Sequence, residues 1–300
     1  MPDYTSLDIL DSGDALNGSV RVQMKDLLTS ALKIILTGSN TAGSQVQPSD
    51  LGTLRLFRGG DQKWGLDMAR LFDFQKEWYK TTPEETSVDD GEIRLVTYLE
   101  NRLPALLEAT NGFDWSPEDV VVLDFNSDPG GGATLNTKAE SLSYEVRPML
   151  SPSVYEGRSF NWHSQAVIRS AAGKEEVEGI TESNVALIYL HDPDDVITEV
   201  SLRRQMPGGD EVKYRDDPIE QIQEDYARSL HPAGTTNLYG IWLAEAPSVI
   251  EAYNNGVELD LKVSGGSNLI DVVYCTVDPT QVPTSISQFE QRRSRLQSLA

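Results

Sequence analysis

Few residues in this chain have types and spacings that chemistry could use. The three histidines, His163, His191 and His231, share no metal-ligand spacing. That removes enzymes of the duplicated β-barrel bicupin kind, whose strands need closely spaced His pairs. The acidic run "HDPDD" (191–195) offers the oxygen ligands that a hard cation such as Ca²⁺ takes, but it lacks the loop pattern of a dedicated site. Asp-Pro-Asp is also an ordinary turn, so a solvated turn is the expectation and a structural Ca²⁺ the alternative. "DPGGG" (128–132) has no Lys-Ser or Lys-Thr after it and opens no helix, so it reads as a flexible loop and not as a phosphate cradle. "GKEEVEG" (173–179) reads as wet surface.

Acids are too numerous to single out a catalytic pair. Glycoside hydrolysis needs two placed carboxylates, and 47 Asp and Glu supply many pairs with nothing to choose among them. The stretch "NGFDWSPED" (111–119), with Asp114 and Glu118, and Trp242 further on, has the composition of a sugar cleft. Trp in a β-sandwich more often packs in the core or at the rim. No Gly-x-Ser-x-Gly elbow appears. The single cysteine, Cys275, lies in "DVVYCTV", where alternation puts Val273, Cys275 and Val277 on one strand face and Val272, Tyr274 and Thr276 on the other. It reads as a buried thiol. The expectation is no catalytic residue, no cofactor-binding residue and no metal ligand.

Bulk properties narrow the classes further. Three hundred residues suffice for two domains of ordinary size, and one cysteine excludes internal disulfides as the scaffold. The N-terminal stretch "MPDYTSLDILDSGDALNGSV" carries acids where a signal peptide needs a basic start, and no apolar run reaches bilayer length. A soluble chain is expected, at least until it assembles. The net charge of −22, from 25 Lys and Arg against 47 acids, opposes direct nucleic-acid binding, which is built from Lys and Arg contacts to phosphate.

The elements that would position these residues are mostly strands. Short β-branched or aromatic runs recur between Gly, Pro, Asn and Asp clusters: 19–24, 32–37, 53–57, 92–99, 120–125 and 142–148, then 164–170, 185–190, 197–203, 237–244, 257–263 and 269–277. Such a series argues for sandwiches or barrels. Two helices stand out. After "GGDQKW" (59–64) comes "GLDMARLFDFQKEWYK", with Leu66, Ala69, Leu71, Phe72 and Trp78 near helical spacing and Asp67 in the first turn. After "GGDEVKY" (208–214) comes "RDDPIEQIQEDYARSL", with Asp217 as cap, Pro218 at the first helical position and Ile219, Ile222, Tyr226 and Leu230 at helical intervals. Gly59 and Gly208 are 149 positions apart, and the aromatic strands that follow, at Glu92 and Asn237, are 145 apart. Matching elements in the same order at about half the chain length point to internal duplication. The plainer alternative is two unrelated hairpins, since Gly and Asp are default turn residues.

Between the halves, "PMLSPSVYEGRSF" (148–160) reads as a connector, and the stretch 101–134 is a long loop without a counterpart. The expected domains are 1–150, an N-terminal arm and first sandwich; 151–281, a second sandwich; and 282–300, a tail made locally basic by Arg292, Arg293 and Arg295.

The segments "LRLFRGGDQKWGLDMARLFDFQKEWYK" with "EIRLVTYLENR", and "VSLRRQMPGGDEVKYRDDPIEQIQEDYAR" with "NLYGIWLA" and "VELDLKV", resemble the double jelly-roll major capsid proteins of icosahedral viruses that enclose an internal membrane. The resemblance is greatest to the corticovirus-type version of bacteriophages and spans roughly 19–277. It implies a mainly β fold of two tandem eight-stranded jelly-roll sandwiches, each with an inserted amphipathic helix. It further implies a homotrimer forming a pseudo-hexameric capsomer, contacts with neighbouring capsomers and minor capsid or vertex proteins, a place in the virion after synthesis in the host cytoplasm, and no enzymatic activity. The basic tail is expected to face inward, toward anionic lipid or a neighbouring subunit. The competing readings are another β-sandwich virion protein (vertex, spike or baseplate) and a carbohydrate-active β-sandwich protein using Asp114 or Glu118.

Overall fold

Hydrophobic alternation decides which face of each strand turns inward. In β5 (Ala31–Asn40), Leu32, Ile34 and Leu36 are buried while Lys33, Ile35 and Thr37 keep partial exposure. Each buried side chain of this kind contributes about 1.5–3 kcal/mol. A one-residue slip in pairing would expose all three, so the register is held by roughly 5 kcal/mol or more from this strand alone. A computed structural model describes residues 5–16, 18–77, 84–85, 91–100, 113–125, 135–150, 160–169, 172–177, 185–205, 211–222, 238–242, 257–265 and 267–277. The chain forms two compact units, the first running to Ser159 and the second beginning at Phe160.

In the first unit the strands are β1 (Thr5–Ser6), β2 (Asp11–Asp14), β3 (Ser19–Gln23), β4 (Leu27–Thr29), β5, β6 (Thr53–Arg58), β7 (Asp61–Asp67), β8 (Glu84–Glu85), β9 (Glu92–Glu100), β10 (Phe113–Trp115), β11 (Val120–Asp124) and β12 (Ala139–Leu150), with helix α1 (Met68–Glu77) after β7 and a helical turn α2 (Leu135–Lys138) before β12. All pairings are antiparallel. β12 lies between β5 and the arm strands β1 and β2, and β5 continues to β9. The other sheet runs β3-β11-β6-β7. Counting β2, β3, β5, β6, β7, β9, β11 and β12 as first to eighth, the sheet orders are first-eighth-third-sixth and second-seventh-fourth-fifth. That is an eight-stranded jelly roll.

The second unit repeats the scheme with β13 (Phe160–Arg169), β14 (Gly173–Glu176), β15 (Val185–His191), β16 (Ile197–Gln205), β17 (Glu211–Pro218), β18 (Leu238–Trp242), β19 (Val257–Val263) and β20 (Ser267–Val277). Its sheets run β13-β20-β15-β18 and β14-β19-β16-β17, the same two orders. Helical residues 219–222 follow the fifth strand, where α1 stands in the first unit. Ile188, Leu190, Val200, Leu202, Leu259, Leu261, Ile270 and Val272 form the core, and Ile219 and Ile222 of the helical segment join it. The double jelly roll with a helix in each half is therefore the fold observed.

The first Gly-Gly turn has a specific cause. Arg58 pairs with Asp61, so Gly59 and Gly60 alone make the bend, with φ of 58° and 91°. A two-residue hairpin with positive φ at both positions suits glycine and few other residues. In the second unit Gln205 pairs with Glu211, leaving residues 206–210 as the connection. The two turns thus share a place, the hairpin of fourth and fifth strands, and differ in length.

Several boundaries differ from the sequence expectation. Residues 65–67 finish a full strand, with Leu66 buried in it, and the helix starts at Met68. Asp67 lies outside the first turn and caps it, its Oδ1 accepting the Ala69 N–H at 2.8 Å. Met68, Leu71, Phe72 and Gln75 then form the buried stripe, and Gln75 donates to the Tyr98 carbonyl of β9 at 3.0 Å; Trp78 lies outside the described residues. Asp217 and Pro218 end β17 and do not begin the helix, and the charged run at 173–176 is the paired strand β14. Pro148–Leu150 belong to β12, and residues 151–159 of the expected connector, like most of 101–134, lie outside the described residues.

Gly38 of β5 has no room for a side chain: an added Cβ would sit 2.0 Å from the Ser141 carbonyl oxygen, beside the irregularity in β12. Gly38→Ala is expected to destabilise the fold by about 2–3 kcal/mol in urea unfolding, whereas Gly18→Ala, with nothing within 4 Å of its Cβ, changes it by less than about 0.5 kcal/mol.

Candidate assembly surfaces

The residues the sequence offered for chemistry are dispersed, and most hold the fold together. Trp115 is buried, stacks on Phe113 at 4.8 Å and donates its Nε1–H to Thr29 Oγ1 at 2.7 Å, while Trp64 packs against Phe113 at 6.1 Å. These rings are core and leave no platform for a sugar. Glu118 is exposed in the turn; the side chains of Asp114 and Trp242 lie outside the described set. His163 stacks on Tyr274, and His191 Nδ1 stands 3.3 Å from Asp271 Oδ2, so these two serve different strand pairs; His231 and 128–132 lie outside the described residues. No group of three or more His, Cys, Asp or Glu able to hold a metal occurs among the described residues. No described helix is long and apolar enough to cross a membrane. Cys275 is fully buried, and that burial pushes its thiol well above the ordinary range. Its neighbours Val272, Val273, Tyr274 and Thr276 are buried too, so both faces of β20 are covered and alternation alone understated its depth.

Two acids of the candidate stretches are buried structural groups. Asp119, from "NGFDWSPED", is fully buried; both its carboxylate oxygens face Arg58, at 3.2 Å each, and Oδ2 also accepts the Ser116 N–H at 2.9 Å. This pair ties the end of β6, next to the Gly-Gly turn, to the start of β11. Asp192, from "HDPDD", is also fully buried, unlike the solvated turn expected for it, while residues 193–195 are exposed. Its Oδ2 accepts the Ile197 N–H at 2.7 Å and its carbonyl accepts the Asp195 N–H at 3.1 Å, closing the turn between β15 and β16. Its Oδ1 is buried without a hydrogen-bond partner among the described residues. Burial raises its pKa above the usual carboxylate range, the Ile197 and Val196 N–H groups oppose that, and Asp195 and Asp194 add to it.

The outward faces carry the remaining polar chemistry. On β5 and β12 a hydroxyl ladder joins Thr37 to Ser143 at 3.0 Å and Ser39 to Ser141 at 2.8 Å. On the same face a shallow groove of about 670 Å³ is lined by Lys33, Arg94, Arg147 and Glu145 among others. The second unit's sheet β14-β19-β16 bears a groove of about 620 Å³, where Asp260 bridges Lys174 at 2.5 Å and Arg203 at 3.4 Å and Lys262 pairs with Glu199 at 3.2 Å. Alternation marks each of these charges as outward, but only the strand register shows which are neighbours. What such faces can do is bind other surfaces, through charge and hydroxyl groups on rigid sheets.

Asp119→Ala removes the buried carboxylate that accepts from Arg58 and from the Ser116 N–H, and is expected to cost about 2–3 kcal/mol of stability in denaturant unfolding. For Asp192 the sign follows from a raised folded-state pKa: the protonated carboxyl is favoured in the fold, so its contribution is present at low pH and lost as pH rises through that pKa. Asp192→Asn should therefore match or exceed the wild type in Tm at neutral pH, and lose ground to it as pH falls through the acid range.

No family model and no curated protein matches the sequence. Among solved structures the chain is similar to the major capsid protein of STIV, Sulfolobus turreted icosahedral virus, at 8% identity and a TM-score of 0.59 over 93% of this chain and 97% of that one. It is also similar to the PBCV-1 virus capsid, at 10% identity and a TM-score of 0.53 over 92% of this chain and 93% of that one. Both are viral capsid proteins, not enzymes. At these identities the likeness is one of fold, and it extends over nearly the whole of each chain. The chain has the double jelly-roll fold of viral major capsid proteins.

Proposed function

We propose that the chain is the major capsid protein of an icosahedral bacteriophage of the corticovirus type, forming the shell over an internal membrane. The observation that carries this reading is the repeated strand order with a helix after the fifth strand in both units. Three copies of such a chain supply six similar sandwiches, so a homotrimer makes a capsomer of nearly hexagonal outline from one gene product. Neighbouring capsomers and minor capsid or vertex proteins are its partners, and the virion its destination after synthesis in the host cytoplasm. The domains are 1–150, 151–281 and the tail 282–300, and the tail's Arg292, Arg293 and Arg295 face anionic lipid or a neighbouring subunit. A charge of −22 suits a shell kept from the genome by a membrane, because direct packaging would set acid against phosphate.

In purified particles this protein is expected to be the dominant band. The isolated protein should have a mass near three times 33.2 kDa by light scattering, and a hexagonal outline in negative stain. A compact monomer present as a minor virion band would sink the reading.

A further inference from the structure

Residues 5–14, "TSLDILDSGD", lie on the first unit with almost nothing buried. From Ser6 to Asp14 no side chain is fully withdrawn from solvent: Leu7 and Leu10 are half-buried and Ile9 is 46% exposed. Burial resumes at Ala15, which is wholly covered and donates its N–H to the Leu142 carbonyl at 2.8 Å. The segment also has three Asp and a Gly, residue types that strands disfavour. Among the described residues its hydrogen bonds to the rest of the fold run to β12. Thr5 pairs with Leu150 and Asp14 with Ser143, and between them Leu7 and Leu10 donate N–H groups to the Pro148 and Val146 carbonyls at 3.0 and 2.9 Å.

One side chain of β12 grips the segment as well. Tyr144 lies directly opposite Gly13, its ring so near that a Cβ on that glycine would meet Cε1 at 3.2 Å, and its hydroxyl donates to Asp11 Oδ2 at 3.1 Å. Asp8 acts electrostatically on Arg147 of the same strand. The dependence runs one way. β12 is held on its other side by β5, from Ala139 to Met149, with Leu142 and Val146 buried, so its place in the sheet does not require the segment. Sheet closure is cooperative, but an edge element with little buried surface opens at a lower free energy than the core.

We propose that residues 5–14 form a strap that lifts from β12 as a unit while the jelly roll beneath stays folded, with Tyr144 as its latch and Ala15 as its fixed end. Opening uncovers the β12 edge from Ser143 to Leu150. A bare row of backbone N–H and C=O groups pairs readily with any available strand, so the closed strap also shields that edge. The inference uses strand register, hydrogen bonds and burial, and does not depend on the capsid reading.

Native-state hydrogen exchange of the full-length protein tests it, comparing the Leu7 and Leu10 amides with those of β5. Leu7 and Leu10 should exchange at least about 100-fold faster than the β5 amides, and with protection within about threefold of each other, because one opening frees both. Tyr144→Phe keeps the ring and removes the hydroxyl. It should speed exchange at Leu7 and Leu10 by about fivefold and leave β5 within about twofold of the wild type. Asp11→Ala, made on the strap itself, should give the same local gain. Protection of Leu7 and Leu10 equal to that of β5 overturns the strap, since the segment then opens only with the whole unit. Protection much lower at Leu7 than at Leu10 overturns its opening as a unit. Tyr144→Phe that speeds β5 as much as the strap makes Tyr144 a core residue, and Tyr144→Phe without effect on either removes it as the latch.

Discussion

In both units the strand made last is the strand that holds the first sheet together. β12 hydrogen-bonds to β5 on one side and to the arm strands β1 and β2 on the other, so Thr5 finds its partner in Leu150. β20 does the same between β13 and β15, joining Phe160 to Val277. Such pairings close loops of well over a hundred residues, and the entropy of that closure is met only when the whole unit is present. The sheet is therefore all-or-none within a unit, and folding dominated by such distant contacts is slow compared with local helix formation. The acidic arm depends wholly on this strand: β1 and β2 have no strand partner except β12 among the described residues.

Once the sheets exist, a few carboxylates fix the loops between them. Asp50 accepts the Gln47 N–H and the ammonium of Lys138, Asp119 holds Arg58 and the Ser116 N–H, and Asp192 holds the Ile197 N–H. Each converts a backbone N–H that would otherwise be stranded near the core into a satisfied one. A chain with an acid at nearly every sixth position can use some inside, provided each meets a donor. Asp192 shows where this is incomplete, since among the described residues it gains backbone donors but no cation.

The sequence made the interior strands plain and the edges obscure, for a physical reason. Strands such as 92–99 and 257–263 are buried on at least one face and carry the alternation or apolar density that burial demands. Among the described residues β14 and β2 each pair along one side, and their residues, "GKEE" and "DSGD", lie outside the strand-like runs because their strand character is imposed by the neighbouring strand's hydrogen bonds. The helix after the first hairpin was legible from Leu71 and Phe72, but its start was not. Leu66 is buried as a strand residue two positions before the helix, and apolar spacing alone cannot separate the two environments. The outward cations were visible singly in "LKIILT", "EIRLVTYL" and "LSYEVRP", but their adjacency belongs to tertiary pairing and has no trace in local sequence.

The burial of Cys275 gives the molecule a built-in clock. The thiol is the only one in the chain, it lies near the C-terminal end of the strand that closes the second unit, and none of its surface reaches solvent. A reagent that attacks thiolate can reach it only when β20 parts from β13 and β15, so the labelling rate records how often that sheet opens. Any surface that clamps the unit from outside must slow this clock, whatever partner supplies it.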